Sequence, residues 1–281
     1  MMPFAATAAN SEENKPSDKA ATVRVTPLTV GNITIKQGKP AVIVSLNGDN
    51  DKTLLSQASQ AAENDAVQIA ELRVDKHQNA LDADRIAHLG HAVRERLEGK
   101  PLLLTFRTKA EGGSGEVDDQ TYLALYKKWL AAGFADLIDV EMRIGESITQ
   151  EIINEAHRRK VAVILSFHDF ASTPSSADLL ERLQWQAAQG ADILKIAVMP
   201  HWPDDVIRLL DVTWQMRKQS DKPLLTMAMG DPGKLSRAAG ELFGSNLTFA
   251  SQGAASAPGQ INIETLSVML DTLHVDHENL T

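Results

Sequence analysis

A chain of 281 residues with 43% hydrophobic and 23% charged side chains can bury a large core and does not have the composition of a disordered protein. Its net charge of −9 argues against nucleic acid as a partner, because phosphate backbones are gripped by clustered Lys and Arg; an anionic substrate must be drawn in by local charge. The lack of cysteine removes disulfides, zinc–thiolate sites and thiol nucleophiles, and no apolar run approaches the ~18 residues that span a bilayer.

Residues 1–21 are expected to be a flexible leader, polar from Ser11 to Lys19. Met1 to Asn10 is apolar and small and lacks a basic stretch, so the expected compartment is the cytoplasm. Ala5-Ala6-Thr7-Ala8-Ala9 resembles the end of a signal peptide, which makes export the alternative. Residues 22–281 are expected to form one domain. Two short alternating runs around Gly31-Asn32 suggest a β-hairpin.

After Pro40 the pattern becomes a regular alternation. Apolar strand-like runs fall near 41–47, 66–75, 101–108, 135–142, 161–169, 191–199, 223–229 and 247–251. Helix-like segments follow near 51–64, 82–97, 118–133, 148–159, 176–189, 203–219, 233–243 and 262–274. Ser175-Ser176 and Asp204-Asp205 look like helix starts, and Gly133 and Gly190 look like helix stops. Strands that are almost wholly apolar suit a parallel sheet covered on both faces. Eight such units point to an α/β protein of the closed (β/α)₈ TIM-barrel class; a doubly wound open sheet is the competitor, which periodicity alone does not separate.

In a barrel, catalytic groups gather at the C-terminal ends of the strands. Polar residues at those ends are Glu71, Arg73 and Asp75; Thr105 and Arg107, followed by Glu111; Asp139 and Glu141; Ser166 and His168; and Lys195. Side chains alternate across a strand, so within each strand these residues share a face. If Lys195 points inward, Ile193, Ala197 and Met199 do too, and Leu194, Ile196 and Val198 pack on the helices. Each residue also has a plainer reading: Glu71–Arg73 as a structural ion pair, His168 as a hydrogen-bonded strand residue, Lys195 as the partner of Asp139 or Glu141. Met227 and Met229 read as core or pocket wall.

Other features carry less. His88 and His91 share a helix face without the spacing of a zinc-protease motif, His274 and His277 lie near the tail, and no metal is expected. Gly230-Asp231-Pro232-Gly233 opens a helix and could hold an anion, but fits neither a dinucleotide fingerprint nor a P-loop. Arg237 is better suited to gripping a carboxylate through two parallel bonds. Ser256-Ala257-Pro258-Gly259-Gln260 offers hydroxyl and amide groups over the same mouth.

Taken together, Glu71-Leu72-Arg73-Val74-Asp75, Thr105-Phe106-Arg107-Thr108 with Glu111-Gly112-Gly113, Ser166-Phe167-His168-Asp169-Phe170, Lys195, Met229-Gly230 through Ser236-Arg237, and Ser256-Ala257-Pro258-Gly259-Gln260 resemble the type I 3-dehydroquinate dehydratases, in family order over about residues 23–274. The resemblance implies a TIM barrel whose N-terminal hairpin closes the bottom. It also implies a lyase of the shikimate pathway that converts 3-dehydroquinate to 3-dehydroshikimate without a cofactor, and a homodimer. It implies Lys195 as the imine-forming nucleophile, His168 as general base and acid, and Glu111 as the group that orients His168. Arg237 would clamp the substrate carboxylate; Glu71, Arg73 and Arg107 would grip hydroxyls and support the charge of the site; Ser45, Met229, Ser256 and Gln260 would complete the contacts. Another Schiff-base barrel lyase, such as a class I aldolase, is the alternative, and a barrel that binds a small carboxylate without turnover is a third reading. Neither a membrane nor a nucleic acid is an expected partner.

Overall fold

Strands rich in Val, Ile and Leu on both faces are stable only when both faces are covered, and that requirement shapes this chain. The computed structural model describes residues 24–275, so the leader at 1–21 and His277 lie outside the described residues. The described residues open with a hairpin of β1 (Leu28–Val30) and β2 (Ile33–Ile35), antiparallel, turning at Gly31 with φ +54°. There follow β3 (Ala41–Leu46), α1 (Asp51–Glu63), β4 (Ile69–Arg73), α2 (Ala83–Arg96), β5 (Leu102–Thr105), α3 (Asp119–Ala132), β6 (Leu137–Glu141) and α4 (Glu146–Arg158). The second half comprises β7 (Ala162–Asp169), α5 (Ser176–Ala188), β8 (Ile193–Val198), α6 (Pro203–Arg217), β9 (Leu224–Ala228), α7 (Lys234–Ala238), α8 (Gly240–Phe243), β10 (Leu247–Ser251), β11 (Ile261–Asn262) and α9 (Ile263–Thr272).

Parallel pairing runs β11-β10-β3-β4-β5-β6-β7-β8-β9. The seam between β9 and β10 is closed by side chains at the strand starts. Asn246 donates its backbone N–H to the Leu224 carbonyl (2.7 Å) and accepts from Leu224 N–H through Oδ1 (3.0 Å), while Ser245 Oγ bonds the Leu224 and Leu247 carbonyls (3.2 and 3.1 Å). The result is the expected (β/α)₈ barrel and not an open sheet.

Two apolar layers hold it. Inside, Ile43, Ile69, Leu103, Leu137, Ile164, Ile193, Leu225 and Leu247 give one residue from each barrel strand, and Val30 and Ile35 of the hairpin pack against them. The hairpin thus plugs the N-terminal end, as expected. Each such residue stabilises the fold by roughly 1.5–3 kcal/mol on burial, which offsets the cost of the polar layer above. Outside, Leu194, Ile196 and Val198 join the layer between strands and helices, while Ile193 and Ala197 face inward. The alternation anticipated for β8 therefore holds.

Helix ends follow the expected signals. Ser175 accepts from Asp178 N–H (3.2 Å), Asp205 accepts from the His201 and Trp202 N–H groups (2.8 and 3.2 Å), and Gly133 ends α3 at φ +76°. One segment differs. The helix expected near 233–243 is two short pieces broken at Ala239, because Gly240 must turn to meet Ser245, whose N–H donates to its carbonyl (2.9 Å) and whose hydroxyl closes the seam. Short 3₁₀ turns at Val74–Lys76, Lys109–Glu111 and Met142–Ile144 follow β4, β5 and β6, too brief to leave a periodic signal.

Candidate active site

Lys195 lies in the middle of β8, 3% exposed, with its side chain in the barrel interior. The register Ser166↔Lys195 and His168↔Ala197 places His168 one step further toward the mouth on the adjacent strand β7. A cavity of about 230 Å³ opens there. All eleven residues expected at the site line it: Ser45, Glu71, Arg73, Arg107, Glu111, His168, Lys195, Met229, Arg237, Ser256 and Gln260. A larger cavity of about 460 Å³ lies at the hairpin end, but its Arg94 and Asp136 pair with each other, and it lacks the inward polar set. The residues expected at the site thus line the smaller cavity and not the larger.

Beneath the lysine is a buried charge cluster. Lys195 Nζ donates to Asp139 Oδ2 (2.7 Å) and sits 4.9 Å from the centre of the Phe249 ring. Arg107 donates to Asp139 (2.6 Å), Ser166 Oγ (2.9 Å), Glu141 (3.3 Å) and Glu111 (3.4 Å). Burial alone would raise the Asp139 carboxyl, but the Arg107 and Lys195 charges outweigh it and hold the group well below the usual carboxylate range. Burial likewise opposes the Arg107 charge, and the Asp139, Glu141 and Glu111 carboxylates push its pKa well above the ordinary value.

Glu111 reaches the site from the 3₁₀ turn after β5, and its Oε2 lies 2.8 Å from His168 Nδ1. Burial holds His168 well below 6.5, with the Arg107 and Lys195 charges pushing the same way. Burial also raises Glu111 to about 8, with Glu141 and Asp139 adding to the effect and Arg107 opposing it. Burial thus favours the uncharged form of each partner. When Glu111 is ionised it accepts the Nδ1 proton, which leaves Nε2 as a bare base; when protonated it donates to Nδ1 and the proton sits on Nε2. Gly112 follows at φ +78°, and any side chain there would collide with the Phe170 ring. Ser114 N–H donates to Asp75 (3.0 Å), which Arg73 grips at 2.9 and 3.0 Å, so β4 also ties down this loop.

Opposite stands Arg237, only 1% exposed. Its Nη2 donates to the Pro258 carbonyl (3.1 Å), its Nη1 touches Met227 sulfur (3.5 Å), and its Nε has no partner among the described residues. Burial lowers its pKa to about 10, so it stays charged near neutrality without a carboxylate beside it. Ser45 donates to Glu71 (2.5 Å) and receives the Ser256 hydroxyl (3.0 Å), and Gln260 holds Ser256 by two bonds (2.8 and 2.7 Å). In the Gly230–Gly233 loop, the N–H groups of Gly230, Gly233 and Lys234 already donate to the Pro258, Gly230 and Asp231 carbonyls (3.2, 3.2 and 3.3 Å). That weakens the case for a phosphate site there.

Sequence reasoning did not single out Phe249 and Phe170 as cavity walls. Asp139 was visible only as one of two carboxylates able to pair with Lys195. The side-chain contacts decide between them: Lys195 Nζ meets Asp139, while Glu141, two residues nearer the mouth on β6, bonds Thr108 (2.7 Å).

Comparison with known proteins identifies the family. The chain is 39% identical over 272 residues to the catabolic 3-dehydroquinate dehydratase of Acinetobacter baylyi, covering 97% of this chain and 98% of that one. It is 40% identical over 248 residues to the 3-dehydroquinate dehydratase of Salmonella agona, covering 88% and 98%. Among solved structures, the type I 3-dehydroquinate dehydratase of Clostridium difficile, with covalently modified comenic acid, superposes with a TM-score of 0.85 at 38% identity over 89% of this chain and 98% of that one. The Geobacillus kaustophilus 3-dehydroquinate dehydratase gives 0.86 at 32% identity over 90% and 98%. Residues 42–277 match the type I 3-dehydroquinase family, and the chain belongs to that family.

Proposed function

We propose that this enzyme dehydrates 3-dehydroquinate to 3-dehydroshikimate through an imine on Lys195, with His168 moving the protons. The observation that carries the reading is the placement of a buried lysine and a histidine on adjacent strands of one cavity, with the cation Arg237, which no carboxylate pairs among the described residues, on its wall. Arg237 grips the substrate carboxylate and fixes the ketone over Nζ. The amine, once neutral, attacks the carbonyl carbon, and the carbonyl oxygen leaves as water. The protonated imine then withdraws electrons from the adjacent carbon, whose proton His168 Nε2 removes to give an enamine. The enamine electrons expel the hydroxyl on the next carbon, which departs as water with the proton that His168 returns. Hydrolysis of the product imine frees Lys195.

The other residues follow from their bonds. Glu111, when ionised, orients His168 and keeps Nε2 free. Arg107 spends its donors on Asp139, Ser166, Glu141 and Glu111, so it supports the charge of the site more than it grips hydroxyls. Glu71, Ser45, Ser256 and Gln260 form a polar wall for the substrate hydroxyls, Arg73 adds charge, and Met229 supplies an apolar side. The imine is the electron sink, so the chemistry calls for no cofactor. A class I aldolase is the weaker reading: it shares the lysine but wants a phosphate site, and the Gly230, Gly233 and Lys234 amides of the glycine loop are already bonded.

Among the described residues no helix is long and apolar enough to cross a membrane. In this reading the protein is a cytoplasmic homodimer, the dimer resting on family resemblance, with export as the alternative. The test of function is turnover of 3-dehydroquinate followed by the ultraviolet absorbance of the conjugated enone. Parent enzyme produces it and Lys195→Ala does not; parent enzyme without turnover would refute the reading.

A further inference from the structure

None of the roles above employs Asp139, although it touches the reacting nitrogen. Its carboxylate is fully buried on β6, and both oxygens are fixed: Oδ2 holds Lys195 Nζ at 2.7 Å, while Oδ1 takes Arg107 Nη2 and the Ser166 hydroxyl, each at 2.6 Å. Its backbone carbonyl accepts the Tyr126 hydroxyl (2.5 Å). The group cannot swing aside without breaking several bonds. Charges facing it are Lys195 from β8, His168 from β7 and Arg107 from the segment after β5; Glu141 and Glu111 share Arg107 with it.

The charge balance of imine formation gives this placement its meaning. An ammonium and a ketone yield a protonated imine and water, the departing oxygen taking two hydrogens from nitrogen. Nζ is therefore positive before and after. A carboxylate already seated beside it needs no reorganisation when the charge matters, which is the condition for effective electrostatic catalysis. We infer that Asp139 is a catalytic counter-ion: it aims Nζ at the carbonyl and keeps the imine protonated, the form able to draw electrons from the neighbouring C–H bond. When His168 takes that proton, the positive charge passes from Nζ to His168, which Asp139 also faces. This inference rests on the Lys195 imine.

Asp139→Asn tests it. Asparagine keeps the shape and can still accept from Arg107 and Ser166, but it presents N–H to Nζ, which only an uncharged nitrogen accepts. Relative to parent, kcat falls about 100-fold or more, and its high-pH limb moves down by about one unit or more, because the imine loses its proton sooner. Asp139→Glu retains the charge and keeps the limb in place even where kcat is reduced. A merely structural role would lower kcat without moving the limb, so an unmoved limb, or kcat within about threefold of parent, overturns the inference. If Asp139→Asn does not fold, parent enzyme labelled with ¹⁵N-lysine answers instead. With substrate and product at equilibrium, the adduct nitrogen should resonate as a protonated imine up to about pH 9, and a neutral imine at about pH 8 overturns the inference. Failure of the parent to give any borohydride-trapped adduct would remove the imine itself, whereas trapping with an unmoved Asp139→Asn limb would remove only the counter-ion.

Discussion

Arg237→Met separates recognition from stability. Methionine nearly matches the arginine stem, so packing persists while the guanidinium goes. Removing it takes away two charge-assisted bonds to the substrate carboxylate, each worth roughly 1.5–3 kcal/mol, so about 3–6 kcal/mol in all. At 1.36 kcal/mol per tenfold this is roughly 10²–10⁴ in kcat/KM. The carboxylate does not change charge along the reaction, so the loss should appear mainly in KM. Stability should move the other way or not at all. Arg237 is 1% exposed, and among the described residues its Nε is unpaired and no carboxylate faces it, so it is a buried charge whose replacement by an apolar group is neutral or stabilising. Steady-state enone absorbance and thermal melting read the two effects. A kcat/KM within about fivefold of parent would mean that the carboxylate binds elsewhere, and a melting temperature lowered by about 10 °C or more would mean that Arg237 serves the fold.

Glu111 must be ionised for His168 to act as a base, and burial raises it to about 8, so kcat/KM should rise with pH through a limb near that value, and Glu111→Gln should remove the limb and lower the plateau. The same shift fixes a stability trend. Above 4.5 the unfolded chain has lost a proton that the folded state retains up to about 8, so the contribution of Glu111 is fullest below 4.5 and fades as pH climbs to about 8; the decline in melting temperature across that window should be shallower in Glu111→Gln. His168→Ala should slow turnover by roughly 10²–10⁴ while still forming the substrate adduct visible by intact mass; full activity would contradict its role as base.

The eight-unit alternation and the inward parity of the polar residues were legible because a barrel strand exposes its pattern directly: Ile193, Lys195 and Ala197 face in, and Leu194, Ile196 and Val198 face out. The helix-start signals at Ser175 and Asp205 were equally local. What escaped depends on register or on long-range pairing. Choosing Asp139 over Glu141 as the lysine's partner needs the contact across the barrel interior between β6 and β8, which no single strand encodes. That Arg107 would spend its donors on a buried carboxylate cluster follows only once three strands converge. The break at Ala239 serves the β9–β10 seam, a contact set by barrel closure and invisible in the helical period.

The most direct test of the Lys195 imine is borohydride reduction in the presence of 3-dehydroquinate, read by intact mass and peptide mapping. A stable adduct on Lys195, absent from Lys195→Ala, is the expected result. Normal turnover with no adduct, or an adduct on another lysine, would contradict it.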